Sequence, residues 1–319
     1  MTKPLVSILI PCYNAERWIA QCIESALAQT YAPVEIVVVD DGSTDGSADI
    51  VKSFGSKVRH ELRENAGANA TRNRLLEMAH GEWLQYLDAD DYLLPEKVEQ
   101  QMGPVRARDA EVDVVFSPVR VRWEASGTEE IWGIDPSADP ELNFIRWAPL
   151  NTNSVLWRRS RLAGVGGWKN GQPCCQEHEL FLRFIMAGAR FELVEYSGAI
   201  YRMHGSDTIS HRDPHRVVRI KMSLTDQMEA YLEKTGRKTF RHEEALYIAR
   251  LEAARSVYRL DKTLARQFYE KAVAGGRRLV RSSPALRMSY QLAMTVASLE
   301  GAETMASWWR RGKRIMGTA

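Results

Sequence analysis

Asp88, Asp90 and Asp91 fall within four positions, directly after the apolar run Leu84-Gln85-Tyr86-Leu87. Three carboxylates this close repel one another unless a cation sits among them. Hard oxygen ligands of this kind suit Mg²⁺ or Mn²⁺, and such ions share their coordination with substrate phosphates. A plainer description fits the same residues: a strand, an acidic turn and a helix N-cap, for which Asp is a good residue. The stretch alone leaves both descriptions open.

Two other places carry residue types suited to a nucleotide. Pro11-Cys12-Tyr13-Asn14 follows one β-prone run, and Asp40-Asp41-Gly42-Ser43-Thr44-Asp45 follows the next. Tyr13 offers a flat face for stacking, and Asp40 or Asp41 offers carboxylate oxygens to an N–H. Asp-Gly-Ser-Thr-Asp is equally ordinary turn chemistry. Arg72, in Asn65-Ala66-Gly67-Ala68-Asn69-Ala70-Thr71-Arg72-Asn73, could fork onto a phosphate or close over a base, or stand as a helix-surface arginine.

The elements that must position these residues are legible as alternating strand and helix signals, which argue for right-handed βαβ units and a parallel sheet. Strands are expected at Leu5–Ile10, Val34–Val39, Val58–Leu62 and Trp83–Leu87. Helices are expected at Ala15–Gln29, capped by Asn14, and at Ser47–Phe54 and Ala68–Ala79, with another starting at Pro95. The expected ligand edge is the carboxyl end of the strands. From 105 to 205 the pattern is more mixed: strands at Val112–Phe116, Val119–Trp123, Phe191–Val194 and Ala199–Arg202, with a helix from Glu177 to Met186. After Pro214 the period is helical throughout, as in Val217, Ile220, Leu224, Met228 and Tyr231. The expected division is 1–210 as an α/β domain and 211–319 as a helical C-terminal domain.

The 319 residues are 45% hydrophobic and 26% charged, ordinary for a globular protein. A formal net charge of +2 lacks the basic excess of a nucleic-acid binder, so no nucleic-acid partner is expected. No signal-peptide pattern and no bilayer-length apolar run is present, so a cytoplasmic location with reduced cysteines is expected. Cys174 and His178, four apart, are read as packing rather than as a metal site.

In that order and spacing, Pro11-Cys12-Tyr13-Asn14, Val38-Val39-Asp40-Asp41-Gly42-Ser43-Thr44-Asp45, Asn65-Ala66-Gly67 with Arg72-Asn73, and Leu87-Asp88-Ala89-Asp90-Asp91 resemble the family 2 glycosyltransferases of the GT-A fold. Each motif is weak alone, and the ordered set is specific. The resemblance covers roughly residues 4–205. It implies an inverting transfer of a sugar from a nucleotide-sugar, with UDP as the family's preference, to a hydroxyl acceptor. It implies a nucleotide-sugar site of Pro11, Tyr13, Asn14, Glu16, Asp40, Asp41, Arg72, Asp88 and Ala89, with Mn²⁺ or Mg²⁺ on Asp90. His204 would join that metal or the diphosphate, as a histidine after the last strand does in some members. Asp91 would serve in support.

Gln176-Glu177-His178-Glu179-Leu180-Phe181-Leu182-Arg183 resembles the family's Glu-Asp pair and following helix. Aligned on Leu180 and Arg183, Glu177 takes the position of the catalytic base, and Gln176 departs from the family's Glu. Glu179 is the second acidic candidate, and Trp168 is a candidate wall for acceptor or sugar. The acceptor would be a saccharide or lipid-linked saccharide. The closing Trp308-Trp309-Arg310-Arg311-Gly312-Lys313-Arg314 suggests peripheral contact with an anionic membrane face. The competing readings are a nucleotidyltransferase and a non-catalytic nucleotide-sugar or glycan binder. The absence of a Gly-rich phosphate loop at the first strand and the intact carboxylates oppose them.

Overall fold

The structure, a computed structural model, describes residues 3–108, 112–135, 139–148, 151–205, 213–276 and 299–304. They group into two units. One holds the described residues up to Pro140 and those from Ala148 to Gly205; the other holds Glu141–Trp147 and those from Asp213 on. The tryptophan and arginine cluster at 308–314 lies outside the described residues.

The first unit is built on a seven-stranded sheet. Strands β1 (Val6–Cys12), β2 (Val34–Asp40), β3 (Arg59–Leu62) and β4 (Trp83–Tyr86) run parallel, and helices α1 (Ile19–Leu27), α2 (Ser47–Ser53) and α3 (Ala68–Met78) connect them. Apart from Val34 at the start of β2, the Val, Ile, Leu and aromatic residues of β1, β2 and β4 are buried, as their dense apolar runs require of a covered parallel sheet. In the sheet β4 lies beside β1, and β1 beside β2 and then β3. The chain therefore reverses direction of travel between β1 and β4, which opens a crevice at their carboxyl ends. Cys12 stands opposite Asp40, and Leu9 opposite Tyr86. The loops carrying Tyr13, Asp41 and Asp88 thus leave the same edge.

Helix α1 starts at Ile19, later than the helical period suggested, and Asn14 is not its cap. Asn14 takes φ 47°, and its Oδ1 accepts from the Thr44 N–H at 2.8 Å, which ties the β1 turn to the β2 turn. Gly42, at φ +79°, is needed there: a Cβ would meet the Asn65 nitrogen at 2.9 Å.

After β5 (Tyr92–Leu93) and α4 (Lys97–Arg108) come β6 (Val114–Phe116), β7 (Val119–Trp123) and β8 (Thr128–Trp132). Several elements escaped the sequence pattern, β5 and β8 among them. Helix α5 (Pro140–Ile145) crosses into the second unit, and β9 (Val155–Arg158) runs antiparallel between β4 and β6. Next are α6 (Arg159–Gly164), α7 (Gln176–Met186), β10 (Phe191–Leu193) and β11 (Ala199–Met203). Strands β5, β11, β7 and β8 form a second, four-stranded sheet. The antiparallel pairing of Ile200 with Tyr92 brings the end of β11 back to the acidic loop.

The second unit contains helices Pro214–Lys234, Phe240–Val257 and Lys262–Val273, around a core that includes Leu251, Ala254, Val257 and Leu264. Asp213 and Asp261 cap the first and third through their side chains, and Thr239 and His242 form a capping box on the second.

Candidate active site

A cleft of about 970 Å³ opens at the carboxyl edge of the first unit. The loops after β1, β2 and β4 line it, together with the start of α7 and the end of β11. The acidic loop enters with its three carboxylates sorted. Asp88 lines the cleft, and its Oδ1 accepts from the Arg72 guanidinium at 2.8 Å. Burial pushes the Asp88 carboxyl up, and Arg72 opposes the shift. Asp90 lines the cleft as well, and its Oδ2 stands 2.9 Å from His204 Nε2. That hydrogen bond raises the imidazole above its usual range. Asp91 turns the other way. It is buried, accepts from the Arg202 backbone N–H at 2.7 Å and from the Asn153 amide, and is raised well above the ordinary range by desolvation.

The loop's shape comes from Asn153, which is fully buried. Its Oδ1 accepts from the Asp88 N–H at 2.8 Å, while its Nδ2 donates to Asp91. Behind it, the Gln85 amide donates to the Asn153 carbonyl at 2.9 Å, and the fully buried Lys97 donates to Gln85 Oε1. Asn153 lies in a single 3₁₀ turn, Thr152–Ser154, that leads into β9. The residue before it reaches the other wall: Thr152 Oγ1 donates to Glu177 Oε1 at 2.6 Å. One turn thus holds both the acidic loop and the candidate base.

Glu177 lies in the first turn of α7 and lines the cleft. Arg72, itself buried, spans the two walls. One of its nitrogens holds Asp88, and another donates to Gln176 Oε1 at 2.5 Å. The departure from the family's Glu at position 176 is therefore filled by an amide oxygen that still accepts from the arginine.

Of the residues singled out in the sequence, Pro11, Tyr13, Asn14, Asp41, Arg72, Asp88, Ala89, Asp90, Glu177 and His204 all line the cleft, and Tyr13 is 53% exposed. Asp41 spends both oxygens on the Ala66 and Gly67 amides, at 3.0 and 2.8 Å, and so shapes the loop ahead of α3. Asp40 is buried and does not line the cleft; its Oδ1 accepts from the Gly42 and Ser43 amides. Glu16 does not line it either; its Oε2 accepts from the Gly46 N–H at 2.7 Å. Trp168 is buried behind the site rather than in its wall. It stands edge-on to Tyr86, with the Arg72 guanidinium 4.8 Å from its ring. Glu179 is buried too, bound one helical turn on by Arg183 at 2.8–3.2 Å, and is absent from the lining.

Sequence reasoning passed over Thr152, Asn153 and Trp18. The ring of Trp18 lines the cleft 5.1 Å from His204. Asn151-Thr152-Asn153-Ser154 reads as an ordinary polar loop, and only its place between two walls gives it a role.

Asp90 and His204 together present a hard carboxylate oxygen and an imidazole nitrogen at one point of the cleft. That donor set fits Mn²⁺ or Mg²⁺ with positions left for phosphate oxygens and water.

Residues 7–160 match the family model described as Glycosyl transferase family 2. A Rickettsia felis protein named as a glycosyltransferase is 38% identical over 221 residues, which are 66% of this chain and 36% of that one. YibD of Escherichia coli, also named as a glycosyltransferase, is 30% identical over 168 residues, 50% of this chain and 47% of its own. The chain spans 36% of the length of three such Rickettsia relatives. Among solved structures, S. aureus TarS 1–349 in complex with UDP-GlcNAc superposes with a TM-score of 0.63 at 18% identity, over 96% of this chain and 92% of that one. The mannosyltransferase PcManGT of Pyrobaculum calidifontis, in complex with GDP-Man and Mn²⁺, gives 0.52 at 19% identity, over 97% and 88%. At such identities the likeness concerns the fold, which is GT-A.

Proposed function

Because the chain belongs to the family 2 glycosyltransferases, we propose that it moves a sugar from a nucleoside-diphosphate sugar to an acceptor hydroxyl, with inversion at the anomeric carbon. The observation that carries this reading is the convergence of Asp88, Asp90, His204 and Glu177 on one cleft from three separate elements. Arg72 joins the Asp88 wall to the Glu177 wall.

The nucleoside rests against Pro11 and Tyr13, on the loop that Asp41 shapes. UDP is the nucleotide we assign, the one TarS carries with its sugar. Asp88 and Arg72 face the ribose and donor sugar. Asp90 and His204 would hold the divalent cation, which when bound offsets charge on the diphosphate leaving group. Glu177 takes the acceptor proton as the acceptor oxygen attacks from the face opposite the diphosphate. Thr152 occupies Glu177 Oε1 and so leaves Oε2 to the acceptor. The acceptor is a saccharide or lipid-linked saccharide met on the cytoplasmic side.

The test is release of nucleoside diphosphate from a panel of UDP- and GDP-sugars with Mn²⁺. Turnover is expected for one donor and is expected to be lost in Asp90→Ala. A wild-type protein that binds no nucleotide in calorimetry and turns over no member of the panel sinks the reading.

A further inference from the structure

Tyr201 lies on β11 and lines the cleft. Its ring packs against the core of the first unit, with the Trp132 ring 6.2 Å away. A tyrosine packed in this way ordinarily spends its hydroxyl on the protein, and three others in the same unit do. Tyr31 Oη donates to the Pro4 carbonyl at 2.7 Å, Tyr86 Oη to the Arg72 carbonyl at 3.1 Å and Tyr196 Oη to Glu96 at 3.1 Å. The Tyr201 hydroxyl makes no hydrogen bond to any of the described residues, and it is not sealed from the cleft. Burial, and after it the charges of Asp91, Asp88, Asp90 and Glu177, push the phenol up to about 12. At neutral pH it is therefore a proton-bearing donor set among acceptors. Other donors of the cleft are committed: Arg72 to Asp88 and Gln176, Thr152 to Glu177, and the Gln176 amide to the Gln172 carbonyl.

The chemistry of the group that meets this hydroxyl follows. A sugar hydroxyl in the cleft finds carboxylates to donate to. A phosphoryl oxygen carries no proton, is repelled by carboxylates, and is satisfied only by donors or cations. We propose that Tyr201 Oη donates a hydrogen bond to the sugar-bearing phosphate of the nucleotide donor. The proposal deepens the glycosyltransferase reading and rests on it. That reading puts the diphosphate at Asp90 and His204, and His204 stands just past the end of the strand that carries Tyr201. It puts the sugar by Asp88 and the base at Glu177, whose charges the phenol feels. The phosphate within reach is then the one bonded to the sugar. As the bond to the anomeric carbon breaks, negative charge grows on that phosphate and the hydrogen bond strengthens, which favours the transition state over the bound donor. The phenol keeps its proton throughout.

Calorimetry on the native full-length protein with Mn²⁺ tests the assignment, using UDP and GDP, each beside its monophosphate. The wild type should bind one diphosphate. Tyr201→Phe should bind that diphosphate about tenfold more weakly, the effect of one hydrogen bond to a charged oxygen, and should bind the monophosphate as the wild type does. The melting temperature without nucleotide should not change, because the hydroxyl bonds to none of the described residues. In transfer, kcat should fall while the acceptor KM holds. Equal weakening of diphosphate and monophosphate would mark Tyr201 as scaffold and overturn the proposal. Unchanged diphosphate affinity with a raised acceptor KM would also overturn it, by giving the hydroxyl to the acceptor. A wild type that binds one diphosphate and a variant that binds it equally remove the proposal alone. A wild type that binds neither diphosphate removes the proposal and the glycosyltransferase reading together.

Discussion

Two short acidic stretches line the cleft, and they sort their carboxylates in the same order. In Asp88–Asp91 the earlier acids point into the cleft and the last is buried behind them. In the first turn of α7, Glu177 faces the cleft, while Glu179, two residues on, is folded against its own helix by Arg183. The acid that turns away is, in each case, the one whose surroundings supply strong donors: Arg202 N–H and Asn153 for Asp91, a forked guanidinium for Glu179. A buried carboxylate persists only where such partners exist. The cleft acids keep oxygens that the protein does not fully satisfy, which leaves them for substrate or cation. An acidic run therefore names candidates, and the neighbouring elements assign the roles.

The sharpest break of this comparison is within α7. Glu177→Gln should lower transfer by about 100- to 10,000-fold, the range for loss of a general base, with nucleotide binding by calorimetry retained. Glu179→Gln should leave transfer unchanged. Equal losses in the two variants would erase the distinction between them.

In the facing loop, Asp91→Ala leaves the Arg202 N–H and the Asn153 amide without their acceptor, at about 1–3 kcal/mol for each buried group. Thermal unfolding should fall accordingly, and Asp91→Asn should restore part of it. An unchanged melting temperature would mean that Asp91 does not anchor the loop.

A smaller effect should come from the turn that ties the walls together. Thr152→Val removes one hydrogen bond of about 1 kcal/mol, which corresponds to roughly fivefold in rate. Thr152→Ser should recover it. Equal rates in the wild type and the valine variant would break the link between Thr152 and Glu177.

The gentlest test lies behind the acidic loop. Burial lowers the Lys97 ammonium well below its ordinary 10.5. A base lowered on folding binds its proton less readily in the folded chain than in the unfolded one. Stability should then rise with pH from the folded value up to about 10.5. Lys97→Met should flatten that rise in denaturant titrations taken across the window. A slope that survives the substitution would remove Lys97 as its source.

Much of the first unit was legible because its signals are local. The Val- and Ile-rich runs of β1 and β2, the helical periods of α3 and α7 and the turn residues between them each act within a few positions. Strand β9 and helix α5 were not. Val155–Arg158 becomes a strand by fitting antiparallel between β4 and β6, a partnership that no local pattern announces. Asn14 looked like a cap and is a cross-link, because the β2 turn arrives beside it. Trp168 looked like a sugar wall and is a backing for Arg72, since burial is a property of what packs around a residue.

By itself, the order of residues determined the parallel α/β core, the edge at which its loops gather and the carboxylates that could do chemistry there. Periodicity, turn chemistry and side-chain charge are written in sequence. Only the tertiary structure decided which carboxylates remain available. It placed Asn153 and Arg202 on Asp91, Arg183 on Glu179, Thr152 on Glu177 and His204 beside Asp90, pairs in which four of the five partners lie far along the chain. A carboxylate's role depends on its donors and its exposure, and both are fixed only when distant segments meet.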